Sequence, residues 1–228
     1  ETAPDWKLFR QQLDERLDGA ASDTERQMDV LRDAYHAQVF RLLAQDVSGL
    51  LTVEKLADYL SELADLMIDA ALRRAWRSLT KRHREEPKFA VISYGKLGGK
   101  ELGYGSDLDL VFLFDDDHER AGEIYSRLST RLNTWLSSQT GAGQLFDTDL
   151  RLRPNGEAGL VVSSIAAFRK YLVESAWMWE YQALTRARFS AGDAEVGEAF
   201  EQIRIDVLCQ PRNLDSLRKE VFLMRQKM

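Results

Sequence analysis

Two aspartates one residue apart, Asp107 and Asp109, open the most chemically suggestive stretch of the chain, Tyr94–Phe114, which reads YGKLGGKELGYGSDLDLVFLF. The run Leu108–Phe114 is aliphatic, β-branched and aromatic, the composition of a buried strand. Side chains alternate faces along a strand, so Asp107 and Asp109 point the same way, with Cα atoms roughly 6.6 Å apart. Two carboxylates on one face repel unless a cation sits between them. Oxygen donors of this kind suit Mg²⁺, which is also held by substrate phosphates. Just upstream, Gly103, Gly105 and Ser106 let the backbone turn sharply and approach a ligand, with free N–H groups and a hydroxyl for phosphate oxygens. The stretch therefore reads as a phosphate site followed at once by a metal site.

Commoner phosphate and metal motifs do not fit. A Walker A loop starting at Gly95 is one residue short and has Glu101 where the hydroxyl belongs. Gly103-Tyr104-Gly105 is followed by Leu108 instead of the third glycine of a dinucleotide fingerprint. An EF-hand would need oxygen ligands beyond Asp109, and Val111 is apolar.

The elements around this stretch are readable from periodicity. Residues 1 to about 85 read as helical. A capping box at Ser22 and Glu25 precedes an apolar face of Met28, Leu31, Tyr35, Val39 and Leu42. Ser48 and Gly49 break that helix. A second long helix is predicted from Thr52 towards Arg82, burying Leu56, Leu60, Leu63 and Met67. The basic cluster that closes it (Arg73, Arg74, Arg77, Lys81, Arg82, Arg84, with His83) reads as a solvated face suited to a helix C-terminus, the alternative being a docking surface for an acidic partner. Strand Lys88–Tyr94 precedes the glycine loop and strand Leu108–Phe114. Asp115, Asp116 and Asp117 read as a solvated turn. A helix from about His118 to Gln139 packs Ile124, Leu128, Leu132 and Leu136, and Thr140–Gly143 ends it. A half-exposed strand is expected over Gln144–Leu152, with Asp147, Asp149, Arg151 and Arg153 on one face. From about Ser163 the chain reads as helical, Trp177, Tyr181 and Leu184 forming a core stripe. Packing helices follow from about Glu195 and Leu214.

Composition bounds the function. The chain has 228 residues, 44% hydrophobic and 30% charged, enough for one sizeable core with a helical appendage. A net charge of −6 argues against a general nucleic-acid binder, whose affinity rests on neutralising phosphates. One cysteine, Cys209, makes no internal disulfide and fits a reducing cytoplasm. No apolar run is long enough for a membrane span. The first residues lack the features of a signal peptide, and a chain that starts without methionine and stops at Met228 in a helical stretch reads as a fragment of a longer protein.

Gly-Ser followed by Asp-x-Asp on a strand resembles the nucleotidyltransferase superfamily that includes DNA polymerase beta. The longer string GKLGGKELGYGSDLDLVFL resembles the bacterial glutamine synthetase adenylyltransferase family. Similarity covers most of the chain and is strongest from about Phe89 to Asp193. The resemblance implies an α+β fold: a polymerase-beta-like mixed-sheet core (87–162) between a helical N-terminal region (1–86) and a helical C-terminal region that completes the catalytic domain (163–228). It also implies a third carboxylate from FDTDLRLRPNGEAG, at Asp149 rather than Asp147. The WMWEYQALTRARFSAGD segment is similar to the family too, making Glu180 and Arg188 supporting or phosphate-binding groups.

The chemistry so implied is AMP transfer from ATP with two Mg²⁺ ions, or Mn²⁺, held by Asp107, Asp109 and Asp149. Asp149 would help deprotonate the acceptor hydroxyl. Gly105 and Ser106, with Lys96 and Lys100, would hold phosphates. Arg151 and Arg153 either neutralise phosphates or balance the carboxylates. The resemblance supplies the acceptor, a tyrosine of glutamine synthetase, and a regulatory partner, the PII signalling protein, acting through other parts of the protein. The family carries two such domains. One adds AMP; its twin removes it by phosphorolysis, giving ADP. The strings ELGYGSDLDLVFL and WEYQALTRAR resemble the adding domain. Rival readings are the removing twin, a nucleotidyltransferase for another acceptor, and a non-catalytic binding module with a relic site.

Overall fold

The structure is a computed structural model and describes residues 3–211, 218, 221–223 and 226. The helix expected from about Leu214 lies largely outside these residues. Three helices come first: α1 (Trp6–Gly19), α2 (Thr24–Val47) and α3 (Val53–Arg77). Each has a side-chain N-cap, from Asp5, Asp23 and Thr52 respectively. The α2 cap is thus Asp23, which accepts from Arg26 N, and not the expected Ser22. Leu31, Tyr35 and Leu42 of α2 and Leu56, Leu60, Leu63 and Met67 of α3 are buried as the periodicity predicts. Helix α3 stops at Arg77, earlier than expected, where Ser78 caps it.

The basic cluster at that end is not merely solvated. Arg73 pairs with Asp14 and Asp69, and Arg74 with Asp14 and Asp18, stapling α3 to α1. His83 and Arg84 reach Asp116, whose side chain is only 2% exposed and also accepts from the Tyr125 hydroxyl and the His118 N–H. The triple-aspartate run is therefore a buried anchor at its centre, contrary to the solvated-turn reading. Burial opposes ionisation of Asp116, but these hydrogen bonds hold its pKa down at about 2.

The sheet begins with β1 (Phe89–Ser93), followed by the single turn α4 (Gly95–Gly98), β2 (Leu108–Phe114) and helix α5 (Ala121–Ser137). Then come β3 (Thr148–Asp149), a 3₁₀ turn at Gly156–Ala158, β4 (Val162–Ser164), α6 (Ile165–Glu174), α7 (Met178–Leu184), β5 (Arg188–Gly192) and α8 (Ala194–Leu208). The strand order is β3-β2-β1-β5, and β4 also pairs with β2. β1 runs antiparallel to β2 and β5; β3 and β4 run parallel to β2. This is an α+β architecture with a mixed five-stranded sheet, consistent with a nucleotidyltransferase-like core. Alternation feeds two cores. Phe89, Val91, Leu110 and Phe112 pack with α3 and α5, whereas Ala90, Ile92, Val111 and Leu113 pack with α6 and α8.

Two expectations fail along the second half. The strand expected over Gln144–Leu152 shrinks to Thr148–Asp149. Leu145 and Phe146 are drawn into the core, and after Asp149 the chain turns, with Arg153 N bonded to Leu150 O. The rest of that edge of β2 is taken by β4. The region from Ser163 is not purely helical either, because Arg188–Gly192 forms β5 against β1.

Candidate active site

Strand pairing builds the site. In the parallel pair β2·β3, Leu108 is the register partner of Thr148 and Asp109 that of Asp149. Register partners on adjacent strands project to the same face, with backbones ~4.8 Å apart. The ladder is extended by Leu108 N donating to Asp147 O at 2.9 Å. The turn feeding β3 is fixed by Arg32, fully buried, whose guanidinium donates to the carbonyls of Met28 (2.9 Å), Gly143 (2.8 Å), Ser138 (2.5 Å) and Trp135 (3.2 Å).

On the other side, β1 ends at Ser93 and Tyr94 N donates to Asp109 O at 2.9 Å. The next residue, Gly95, has φ +54 and lies so near the Asp109 carboxylate that an added Cβ would stand 1.9 Å from Oδ2. Glycine is required there twice over, by backbone conformation and by space. Gly98 is equally tight, its would-be Cβ 2.1 Å from the Arg186 carbonyl.

Electrostatics tie the three carboxylates together. Burial raises the Asp109 pKa above the usual carboxylate value, and the charges of Asp107 and Asp149 raise it further; Arg151 and Lys96 act in the opposite direction. Asp149 is shifted down, first by the Arg151 guanidinium, which approaches its Oδ2 to 2.5 Å, and by the Arg151 N–H at 2.8 Å on Oδ1. The donor set is all oxygen, chemically suited to Mg²⁺ or Mn²⁺. Among the described residues, no three His, Cys, Asp or Glu side chains stand close enough together to hold a metal ion. Asp149 spends its carboxylate on Arg151 instead.

The other expected site residues fall into two groups. Lys96 and Arg151 face the carboxylates and are exposed. Ser106 closes the glycine loop, its hydroxyl accepting from Gly103 N at 3.0 Å. Gly105 is exposed, with open space where a side chain would go. Lys100 has φ 54 and is exposed at the far end of the α4 turn. Arg153 and Arg188 are turned away. Arg153 donates to the carbonyls of Leu150, Glu157 and Gly159. Arg188 pairs with Asp65 of α3 at 2.8 Å and donates to Leu97 O. Glu180 is buried, accepting from the Tyr171 hydroxyl (2.7 Å) and Trp177 N (2.8 Å).

Sequence reasoning missed the anchors of the loop. The Tyr104 hydroxyl donates to Asp46 of α2 at 3.0 Å; burial first, and then this bond, raises its pKa to about 12. Arg186 pairs with Glu101. It also misread Trp177: the residue is 71% exposed, not core. A cavity of about 670 Å³ lies elsewhere, between α2 and α5 near Thr24, Ser78 and Arg131. The carboxylates, not cavity size, mark the chemistry.

Comparison with known proteins supplies the family. Residues 1–203 match the family described as glutamate–ammonia ligase adenylyltransferase. A bifunctional glutamine synthetase adenylyltransferase/adenylyl-removing enzyme of Aromatoleum aromaticum is 66% identical over 228 residues, all of this chain and 24% of the relative. Proteins of the same name from Chromobacterium violaceum and Neisseria meningitidis serogroup B are 58% and 56% identical, over 99% and 100% of this chain and 25% of each relative. The chain thus spans about a quarter of the length of these relatives, and it belongs to the glutamate–ammonia ligase adenylyltransferase family.

Proposed function

We propose that the chain carries an adenylyltransferase site that moves AMP from ATP to a tyrosine hydroxyl of glutamine synthetase, releasing pyrophosphate, and so helps control nitrogen assimilation. The observation that carries this reading is the pairing of Asp109 with Asp149 beside Asp107, at the open end of a mixed sheet in a member of this family.

Asp107 and Asp109 would hold Mg²⁺ or Mn²⁺, and Asp149 would join them on leaving Arg151. When bound, such cations neutralise the phosphates and the attacking and leaving oxygens of an in-line displacement. The chain's own groups do the rest. The glycine loop, with the Gly105 amide, Ser106, Lys96 and Lys100, receives the β- and γ-phosphates. Asp149 accepts the proton of the acceptor hydroxyl, whose oxygen bonds the α-phosphorus as the bond to the β-phosphate oxygen breaks. Arg151, freed from Asp149, meets developing phosphate charge. Arg153 and Arg188 act indirectly, by holding the loops. Residues 163–228 complete the catalytic unit begun in 87–162, because β5 comes from that region, and 1–86 buttress it. In this reading the reaction is cytoplasmic, without nucleic acid or membrane, and PII signalling protein acts through other parts of a longer protein.

The names of the relatives include AMP removal as well as addition. Intact mass of glutamine synthetase decides the direction. One sample holds the chain, unmodified synthetase, ATP and Mg²⁺; the other holds adenylylated synthetase and inorganic phosphate. Gain of one AMP per subunit in the first is the expected result. Loss of AMP in the second, with none gained in the first, would assign the chain to phosphorolysis and ADP formation.

A further inference from the structure

A second feature lies against the carboxylates on the Arg151 side. A cavity of about 270 Å³ is lined by Arg151, Asn155, Tyr171, Ser175, Trp177 and Trp179. Trp177 and Trp179 are 71% and 44% exposed, large indole faces left to water. Each would contribute a substantial apolar area if covered. They are held in place rather than loose: the buried Glu180 carboxylate accepts from Trp177 N and from Tyr171, fixing the start of α7.

We propose that this cavity receives the adenine base of the nucleotide; the inference rests on the reading of the neighbouring carboxylates as an ATP-using site. Size is the first argument. About 270 Å³ admits one heterocycle with part of its sugar, and is small for a folded peptide segment. The order of chemistry along the surface is the second. Aromatic walls come first, then the Arg151 guanidinium, then Asp149 and Asp109. That is the order of a nucleotide in AMP transfer: a flat base that stacks, then the α-phosphate, the reacting centre, between a cation and the carboxylates, with the leaving β- and γ-phosphates beyond. An acceptor tyrosine offers a ring and a hydroxyl, with no anion for the guanidinium between them. The third argument is polarity. Asn155 and Ser175 stand in the wall, a side-chain amide and a hydroxyl able to bond the edge of a purine. With the base here, the triphosphate tail would extend from Arg151 past the carboxylates to the glycine loop at Gly105 and Ser106.

Calorimetric titration of the chain tests this, with ATP and, separately, inorganic tripolyphosphate, both with Mg²⁺. Stacking on indole accounts for a large part of single-base affinity. The double variant Trp177→Ala/Trp179→Ala is therefore expected to bind ATP at least about 10-fold more weakly and tripolyphosphate as before. Trp177→Phe/Trp179→Phe is expected to recover most of the loss, which a merely unfolded variant would not. Unchanged ATP affinity in the alanine variant would overturn the proposal, as would an equal loss for both ligands. A raised KM for glutamine synthetase at unchanged ATP affinity would instead give the cavity to the acceptor. If the unaltered chain bound neither ligand, the nucleotide site itself would fall, whereas ATP binding indifferent to the two indoles would remove only the base pocket.

Discussion

Asp109 and Asp149 are register partners across the parallel pair β2·β3, so two carboxylates more than thirty residues apart in sequence share one face of the sheet. Asp109 bears the cost. Burial and its two acidic neighbours keep its pKa above the ordinary value, while Arg151 holds that of Asp149 below it.

The first consequence concerns stability. A carboxyl whose folded pKa is raised favours the fold when protonated, and loses that contribution as pH rises through the folded value. Asp109→Asn should therefore raise the melting temperature of the chelator-treated chain near neutral pH by a few degrees. Below the unfolded carboxyl value of 3.8 the difference should vanish. Thermal unfolding across pH checks this; a variant no more stable than wild type at neutral pH would contradict it.

Protons and divalent cations should compete for the same carboxyls. Mn²⁺ affinity should weaken as pH falls through the raised Asp109 value, and binding in that range should release protons. Calorimetry in two buffers of different ionisation enthalpy measures the release. A binding enthalpy indifferent to the buffer at acid pH would exclude the competition.

The two loop glycines should separate fold from ligand. Gly95→Ala places a Cβ against Asp109 Oδ2 at a backbone conformation unfavourable to alanine, and should cost about 1–3 kcal/mol. Gly105→Ala meets nothing within 4 Å and should leave the melting temperature unchanged. If the loop cradles phosphates, the same change should nonetheless raise the KM for ATP. Urea melts and ATP titrations of both variants read these outcomes.

Asp116 should matter to the fold alone. Its lowered pKa contributes stability that is present above 3.8 and lost as pH falls towards about 2. Asp116→Ala removes the acceptor shared by His83, Tyr125 and the His118 N–H, and should cost roughly 2–4 kcal/mol. The activity of the folded fraction should be unaltered. A melt like that of wild type would remove Asp116 from the core account.

Much of this molecule was legible in its residues because local pattern and tertiary demand agreed. The run Leu108–Phe114 is β2 to the residue, and the apolar face of α5 packs as its spacing implies. The failures have physical causes. Asp116 looks like one of three solvated acids until His83, Arg84 and Tyr125 converge on it from distant positions. The segment Arg188–Gly192 carries few strand formers, and becomes β5 because the edge of β1 is open to it. The alternating segment Gln144–Leu152 was cut short by its own Arg151 and Arg153, which bend the chain back on Asp149 and Leu150. Trp177 sits at helical spacing from Tyr181, yet periodicity does not say whether an aromatic faces core or cleft.

The most direct measurement is the rate of AMP incorporation into glutamine synthetase by wild type, Asp109→Asn and Asp149→Asn under the same ATP and Mg²⁺. Near neutral pH Asp109→Asn should be more stable than wild type and Asp149→Asn, which takes the carboxylate from Arg151, slightly less stable, and both should lose activity by roughly 10³-fold. An Asp149→Asn chain that kept most of the wild-type rate would separate the two strand partners and contradict the assignment of a shared reaction centre.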